Sequence, residues 1–291
     1  MTQPHLTSAR IGQCFLETDR GRDRIEYTEY GSGEAWVVLL PPLFVPRTAH
    51  DRLAHALASA GLHVVVPDLL GHGRSDRPQD PMAYSVTAFA EQVVALLDHL
   101  GAAQAVVGGT GLGANVALET AAHAPHRVRG MLLDGPVLDD AMAAGLAVLG
   151  PVMYAARFAP VGVHAVRMLV RPVPRRLVPD TVGLVLDTVE HRPGPLAALV
   201  HGVLFGRLAP TVAERTRLEV PALVIARPGD PLHRASDAVA LAEELPAASL
   251  EEAAGRFEWH RSPERLDLAV TRFALDCSRQ RGIRRTRRST V

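Results

Sequence analysis

A buried strand that runs straight into a glycine-rich turn and then into a helix constrains the fold of this chain most. Residues 105–107 are apolar, residues 108–113 hold four glycines, and residues 114–123 continue with helical spacing. Glycine lets a strand and a helix approach closely, and strands that alternate with helices predict a parallel sheet built from β-α-β units. The alternation extends from about residue 11 to about residue 135 and resumes at Ala222–Ala226.

One long segment interrupts this alternation. Residues 137–218 have helical periodicity with several proline breaks and no convincing strand, which predicts an all-helical insertion. The sequence therefore predicts an α/β core formed by residues 1–136 and 219–278 and a helical cap formed by residues 137–218. A basic, disordered tail is predicted for residues 279–291.

Composition limits the class of partner. The 291 residues carry 31 basic and 31 acidic side chains, and this zero net charge gives no reason to expect a nucleic acid or an anionic membrane. No apolar run has the length of a bilayer span, and the polar start of the chain lacks the apolar core of a signal peptide. Cys14 and Cys277 are expected to be free thiols in a reducing compartment. Together these features predict a cytoplasmic globular protein.

Several motifs in a fixed order resemble those of the α/β-hydrolase family. They lie at residues 30–34, 36–40, 67–76, 109–113, 229–231 and 255–257. The resemblance covers most of the chain outside the predicted cap, which lies where that family carries its own cap. It implies the α/β-hydrolase fold, with a mostly parallel central sheet flanked by helices. It also implies a serine nucleophile on the strand-to-helix turn, a carboxylate after a later strand and a histidine after the last strand.

The nucleophile position of this chain lacks a side chain. The family pattern G-x-S-x-G needs small residues two before and two after the nucleophile, and Gly109 and Gly113 supply them, so that Gly111 takes the nucleophile position. Glycine cannot form a covalent intermediate. Thr110 carries a hydroxyl, but as nucleophile it would need a small residue at the position of Leu112. We therefore interpret Thr110 as a turn residue.

The position of the family's histidine is also altered. The chain has Arg256 between Gly255 and Phe257, where the resemblance implies histidine. A guanidinium stays protonated at physiological pH, so Arg256 cannot act as a general base. Asp230 matches the carboxylate of the triad and is expected to form an ion pair with Arg256, in a catalytic role or only to join two loops. His260 is interpreted as a surface or hinge histidine rather than as a substitute base.

Asp134 and the oxyanion side complete the candidate site. Asp134 ends its strand where some relatives keep an alternative acid. Burial there without a cation would raise its pKa and make it a candidate acid or base, against a simpler role in capping a loop. Residues 41–44 read Pro-Pro-Leu-Phe where relatives usually carry His-Gly. The amides of Leu43 and Leu112 are expected to bind a substrate oxygen, with Phe44 beside them.

Three functions follow from this combination. The first is a lyase, isomerase or cyclase that acts on an apolar small molecule without an acyl-enzyme, using Asp230, Arg256 or Asp134. The second is a non-catalytic binding or partner protein. The third is a hydrolase in which a carboxylate activates water, and a carboxylate locked to arginine is a poor base for that role. The intact scaffold with charged replacements favours the first.

No cofactor and no metal are predicted. The glycine turn lacks the spacing of a dinucleotide or phosphate loop. Asp187, Glu190 and His191 have helical spacing, but Arg192 and Pro193 end the helix at once, and no fourth metal ligand is evident. The expected partner is an apolar small molecule, and a homodimer is left open.

Overall fold

A single mixed sheet organises the chain. The structure is a computed structural model and describes residues 9–18, 21–170 and 192–286. Its strands are β1 (Arg10–Thr18), β2 (Gly21–Tyr30), β3 (Trp36–Leu40), β4 (His63–Asp68), β5 (Ala105–Thr110), β6 (Val128–Asp134), β7 (Ala222–Ala226) and β8 (Ala248–Glu252). Their order across the sheet is β1-β2-β4-β3-β5-β6-β7-β8. The two strands β1 and β2 are antiparallel to their neighbours, and β3 to β8 run parallel.

Helices cover both faces of the sheet. They are α1 (Asp51–Ser59), α2 (Val86–His99), α3 (Leu112–His123), α4 (Asp139–Phe158), α5 (Pro160–Val170), α6 (Pro193–Phe205), α7 (Val212–Arg215), α8 (Ala235–Glu244), α9 (Glu258–Arg261) and α10 (Glu264–Thr286). Successive strand residues point to opposite faces. Val38 and Val107 therefore pack in the core that includes α2 and α3, whereas Val37 and Val106 pack in the core that includes α1 and α10. Burial on both faces explains the continuous apolar runs of these strands.

The predicted insertion lies between β6 and β7. In its described part, it consists of helices α4 to α7 and contains no strand. The buried side chain of Asn115 on α3 ties both ends of this cap to the core. Its amide nitrogen donates to the carbonyls of Val137, at 2.6 Å, and Leu208, at 2.9 Å, and its oxygen accepts from the Val137 amide at 2.9 Å. The cap is thus fixed above the carboxyl ends of the parallel strands.

The last helix is longer than the sequence suggested. Helix α10 continues past Cys277 to Thr286, so residues 279–286, the first part of the predicted disordered tail, are helical. Arginine is a good helix former, and the six arginines among residues 279–291 do not by themselves end a helix. Among the described residues no single helix is long and apolar enough to cross a bilayer. Only the segments Gly145–Phe158 and Pro160–Val166, bent by 107° at their junction, meet the length and composition criteria as a pair.

Candidate active site

The turn between β5 and α3 has the sharp geometry predicted from its glycines. Gly111 lies between the two elements with φ 56° and ψ −117°, a conformation that residues with a side chain rarely adopt. A Cβ atom on Gly109 would lie 2.8 Å from the carbonyl carbon of Gly113 and would also collide with the carbonyl of Leu40. Helix α3 begins at Leu112 directly after the apex. Gly111 is therefore at the tip of a close strand-to-helix turn at the carboxyl edge of the sheet.

An imidazole occupies the space above this tip. A Cβ atom on Gly111 would lie 2.5 Å from Nε2 of His233, which belongs to the loop after β7. Gly135, after β6, also has a φ of 56°, and a Cβ atom there would lie 2.9 Å from the Cβ of His233. The imidazole thus lies in a notch between two glycines from neighbouring strand ends. Any side chain at Gly111 would meet the ring.

Asp230 orients this imidazole. Its Oδ2 lies 3.0 Å from Nδ1 of His233, and its Oδ1 accepts hydrogen bonds from the backbone amides of Leu232, at 2.9 Å, and His233, at 3.0 Å. Burial alone would raise the pKa of Asp230, but the hydrogen bonds from His233 and Leu232 hold it well below its usual range. An ionised carboxylate only accepts hydrogen bonds, so Nδ1 carries the proton. In the neutral ring the lone pair is then on Nε2, which faces the bare turn.

A second charged pair lies beside the first. Arg227, immediately after β7, donates from Nε to Oδ1 of Asp134 at 2.7 Å and from Nη2 to Oδ2. Thr110 also donates to Oδ2, at 2.8 Å. Asp134 was predicted to become an acid or base if it were buried without a cation. It is buried, but it is paired with Arg227, so this condition is not met. Thr110 is the last residue of β5 rather than a turn residue, and it donates its hydroxyl proton to this carboxylate.

The predicted ion pair between Asp230 and Arg256 is wrong. Both residues are described, and the carboxylate of Asp230 is satisfied by His233 and two backbone amides instead. Arg256 is exposed, with its guanidinium carbon 4.5 Å from the ring centroid of Phe257. A guanidinium in water above an aromatic face avoids the cost of desolvation, which a buried position beside Asp230 would impose. His260 is likewise exposed, on the short helix α9.

A cavity of about 540 Å³ opens over the turn and beneath the cap. Leu43, Phe44 and Leu112, the residues predicted for the oxyanion side, all line it. The amide of Leu112 is the first of helix α3, whose initial N–H groups have no partner within the helix. Phe44 has a φ of 66°, which is rare for a residue other than glycine, and such strain is concentrated at functional sites.

The cavity is apolar above and polar at its floor. Its polar side chains in the described part of the chain are Thr110, Arg227 and His233, which cluster at the strand ends. The remainder of its wall is aliphatic apart from Phe44, with Val148, Val152 and Leu204 among the residues from the cap. The arrangement suits a largely apolar molecule with its reactive group beside His233.

Sequence reasoning missed His233 and Arg227. The available signal was the spacing Asp230-Pro-Leu-His233, because residues three apart in a tight turn can bring their side chains together. The family resemblance instead implied a histidine after the last strand. The residues once considered for a metal site, Asp187, Glu190 and His191, lie outside the described residues. Among the described residues no group of three or more His, Cys, Asp or Glu side chains is arranged to hold a metal ion.

Known proteins resemble this chain in part of its sequence and in its overall structure. A family profile described as alpha/beta hydrolase fold matches residues 45–162. A 2-hydroxymuconate semialdehyde hydrolase of Pseudomonas putida is 40% identical over 74 residues, which cover 25% of this chain and 26% of that protein. Epoxide hydrolase A of Mycobacterium tuberculosis is 40% identical over 95 residues, 32% of this chain and 29% of that protein. The matched segments thus span between a quarter and a third of these relatives.

The structural likeness extends over nearly the whole chain. A hydrolase from Pseudomonas aeruginosa superposes with a TM-score of 0.71 at 24% sequence identity, covering 90% of this chain and 98% of that one. The strand order, the turn at Gly111 and the position of the cap agree with this likeness. The chain has the α/β-hydrolase fold, and the relatives that it resembles are named hydrolases.

Proposed function

We propose that this protein is a hydrolase in which the Asp230–His233 pair activates a water molecule for direct attack on an uncharged, apolar ester or lactone. The observation that carries the proposal is the position of His233 Nε2, 2.5 Å from where a side chain on Gly111 would begin. In this proposal the usual serine and histidine of the fold are lost, with Gly111 and Arg256 in their places. An imidazole from the loop after β7 has taken over the role of base.

The chemistry requires a base that can accept a proton at the turn. Nε2 of His233 takes a proton from water while the water oxygen bonds to the carbonyl carbon, and the imidazolium that forms is stabilised by Asp230. The negative charge on the carbonyl oxygen is bound by the amides of Leu112 and Leu43. The imidazolium then returns its proton to the leaving alkoxide as the carbon–oxygen bond breaks. One water is consumed, and an acid and an alcohol are released.

The geometry and the names of the relatives together favour this reading over the two other catalytic functions derived from the sequence. A carboxylate-activated water is less suitable, because Asp230 is bound to His233 and its low pKa makes it a weak base but a good orienter of the ring. A lyase, isomerase or cyclase would use the same imidazole as a proton acceptor. The hydrolase names of the relatives favour addition of water over such reactions. Arg256, exposed and stacked on Phe257, has no part in the proposed reaction.

The reaction is tested with p-nitrophenyl esters of increasing acyl length and the matched lactones. The wild-type protein is expected to turn over the apolar esters without an initial burst of nitrophenol, because no acyl-enzyme accumulates, and to resist labelling by a fluorophosphonate. His233→Gln is expected to lower kcat/KM by about 10²- to 10⁴-fold, whereas the exposed control His260→Gln retains wild-type activity. In H₂¹⁸O the first turnover should place the label in the product acid.

Four outcomes would overturn the proposal. Full activity in His233→Gln would show that His233 is not the base. A burst with a covalent adduct on the β5–α3 turn would show that an acyl-enzyme forms. Tight binding of apolar ligands with no turnover of any ester or lactone would leave a binding protein. Exchange of a substrate C–H proton with solvent, without addition of water, would point to an isomerase or lyase.

A further inference from the structure

The pair formed by Arg227 and Asp134 suggests how the cavity selects its ligand by charge. Arg227 reaches the cavity floor beside His233, and its side chain is only 13% exposed. A lone guanidinium in such a place would attract carboxylates strongly, because desolvated arginine is a preferred anion binder. Here, however, two of its nitrogen atoms already donate to Asp134.

The charges at the floor do not favour an incoming anion. Asp134 cancels the charge of Arg227, and the hydrogen bonds from His233 and Leu232 keep Asp230 ionised. A substrate carboxylate would find the guanidinium of Arg227 already paired with Asp134 and would lose its own hydration on entering. An uncharged oxygen, by contrast, can accept a hydrogen bond from the guanidinium. The pair with Asp134 engages Nε and Nη2 with one hydrogen bond each, and a guanidinium has five N–H donors, so Arg227 can also donate to a ligand oxygen.

We propose that Asp134 is a specificity-determining residue, which neutralises Arg227 so that the cavity accepts uncharged oxygen-bearing aliphatic molecules and rejects carboxylates. Arg227 then acts as a hydrogen-bond donor to a neutral carbonyl or ether oxygen of the ligand. The sequence placed Asp134 as a candidate acid or base; its contacts with Arg227 and Thr110 assign it a positioning role instead. This inference deepens the proposed function, since it names the class of substrate, but it concerns binding and does not depend on turnover.

Binding is measured by isothermal titration calorimetry at pH 8 with two probes of similar chain length, 2-decanone and decanoate. The wild-type protein is expected to bind 2-decanone at least about tenfold more tightly than decanoate. Asp134→Asn leaves Arg227 without its counter-charge and should reduce or reverse that ratio. Thr110→Val, which removes one hydrogen bond to Asp134 but keeps both charges, should leave the ratio at the wild-type value.

Two further variants keep the test decisive if Asp134→Asn does not fold. Arg227→Gln removes the cation alone and should increase the discrimination against decanoate. The double variant Asp134→Asn with Arg227→Gln removes both charges and should return the ratio to near the wild-type value. The proposal is wrong if decanoate binds as tightly as 2-decanone to the wild-type protein, or if Thr110→Val shifts the ratio as much as Asp134→Asn does.

Failure here and failure of the proposed hydrolysis can be told apart. If His233→Gln loses ester turnover and the wild-type protein prefers 2-decanone as expected, both the hydrolase function and the role of Asp134 are supported. Turnover that depends on His233, together with equal binding of the two probes, would retain the hydrolase and discard the role of Asp134.

Discussion

Nε2 of His233 lies 2.5 Å from the point at which a side chain on Gly111 would begin, so the ring fills the space directly above this turn. The absence of a side chain at 111 and the presence of the imidazole are therefore linked. A bare turn on its own would suggest a site that had lost its chemistry. A bare turn filled by an oriented imidazole suggests a site with a different base. His233 also needs glycine at position 135, because a Cβ atom on Gly135 would lie 2.9 Å from the Cβ of His233.

Restoring a serine at the turn should not restore a serine hydrolase. The new Cβ in Gly111→Ser collides with the imidazole, and the φ of 56° is strained for a residue other than glycine, so we expect a stability loss of about 1–3 kcal/mol. Ester turnover should fall as well, because His233 is displaced. Gly111→Ala, with the same Cβ and no hydroxyl, is the matched control, and both variants are compared by urea unfolding and esterase assay. Covalent labelling and increased turnover in the serine variant alone would contradict this expectation.

Asp230→Asn should disable the base while leaving the ring in place. An amide can donate to Nδ1 and so favour the tautomer with its proton on Nε2, and we expect kcat/KM to fall by about 10²- to 10⁴-fold. The measurement is the rate with an apolar p-nitrophenyl ester, with circular dichroism to check the fold. An unchanged rate would show that the carboxylate does not orient the base.

The low pKa of Asp230 also predicts how its contribution to stability depends on pH. A carboxyl whose folded pKa is depressed stabilises the fold at pH values above its ordinary pKa of about 3.9, and that stability is lost as pH falls through the lower folded pKa. The free energy of unfolding should therefore differ more between the wild type and Asp230→Asn at pH 7 than at pH 2. Urea unfolding at both pH values measures it. An equal difference at the two values would contradict the assigned ionisation.

Asn115 should control the attachment of the cap. Asn115→Leu leaves the Val137 amide and the carbonyls of Val137 and Leu208 without their partner, and each unsatisfied buried group costs about 1–3 kcal/mol. We expect lower stability and faster proteolysis within the cap than in the core. Gln104→Leu, which removes a more exposed amide that donates to the His126 carbonyl at 2.7 Å, is the control and should change stability little. Wild-type proteolysis in Asn115→Leu would show that other contacts hold the cap.

The buried thiol of Cys277 should make the fold sensitive to alkali. Burial, with a smaller contribution from Asp276, raises its pKa to about 11, so the folded state favours the neutral thiol. That stability is complete below the ordinary thiol pKa and is lost as pH rises toward the folded value; we expect a decrease of about 1–2 kcal/mol between pH 8 and pH 11. Cys277→Ala should show a smaller decrease over the same interval in urea unfolding. Equal decreases in the two proteins would contradict the assignment.

Local patterns determined much of the architecture. The apolar runs of β3, β5 and β7, the glycines at 109, 111 and 113 and the helical periodicity of the insertion each depend on residues close in the chain. Backbone propensity and the two-sided burial of strands act over that same range, so the sheet, the turn at Gly111 and the helical cap were predictable. The expected positions of Asp230, Asp134, Leu43 and Leu112 near the turn followed from the strand ends.

Which side chain stands as the proposed base could be seen only in the tertiary structure. Arg256 and His233 belong to different loops, and the sequence could not tell which side chain would enter the notch between Gly111 and Gly135. The outcome depends on the path of the loop after β7 and on desolvation. The guanidinium of Arg256 would be costly to bury without an acidic partner, and Asp134 is already paired with Arg227. A neutral imidazole, by contrast, can be buried with one hydrogen bond to Asp230. The sequence thus determined where the site lies, and the packing of three strand ends determined which side chain faces it.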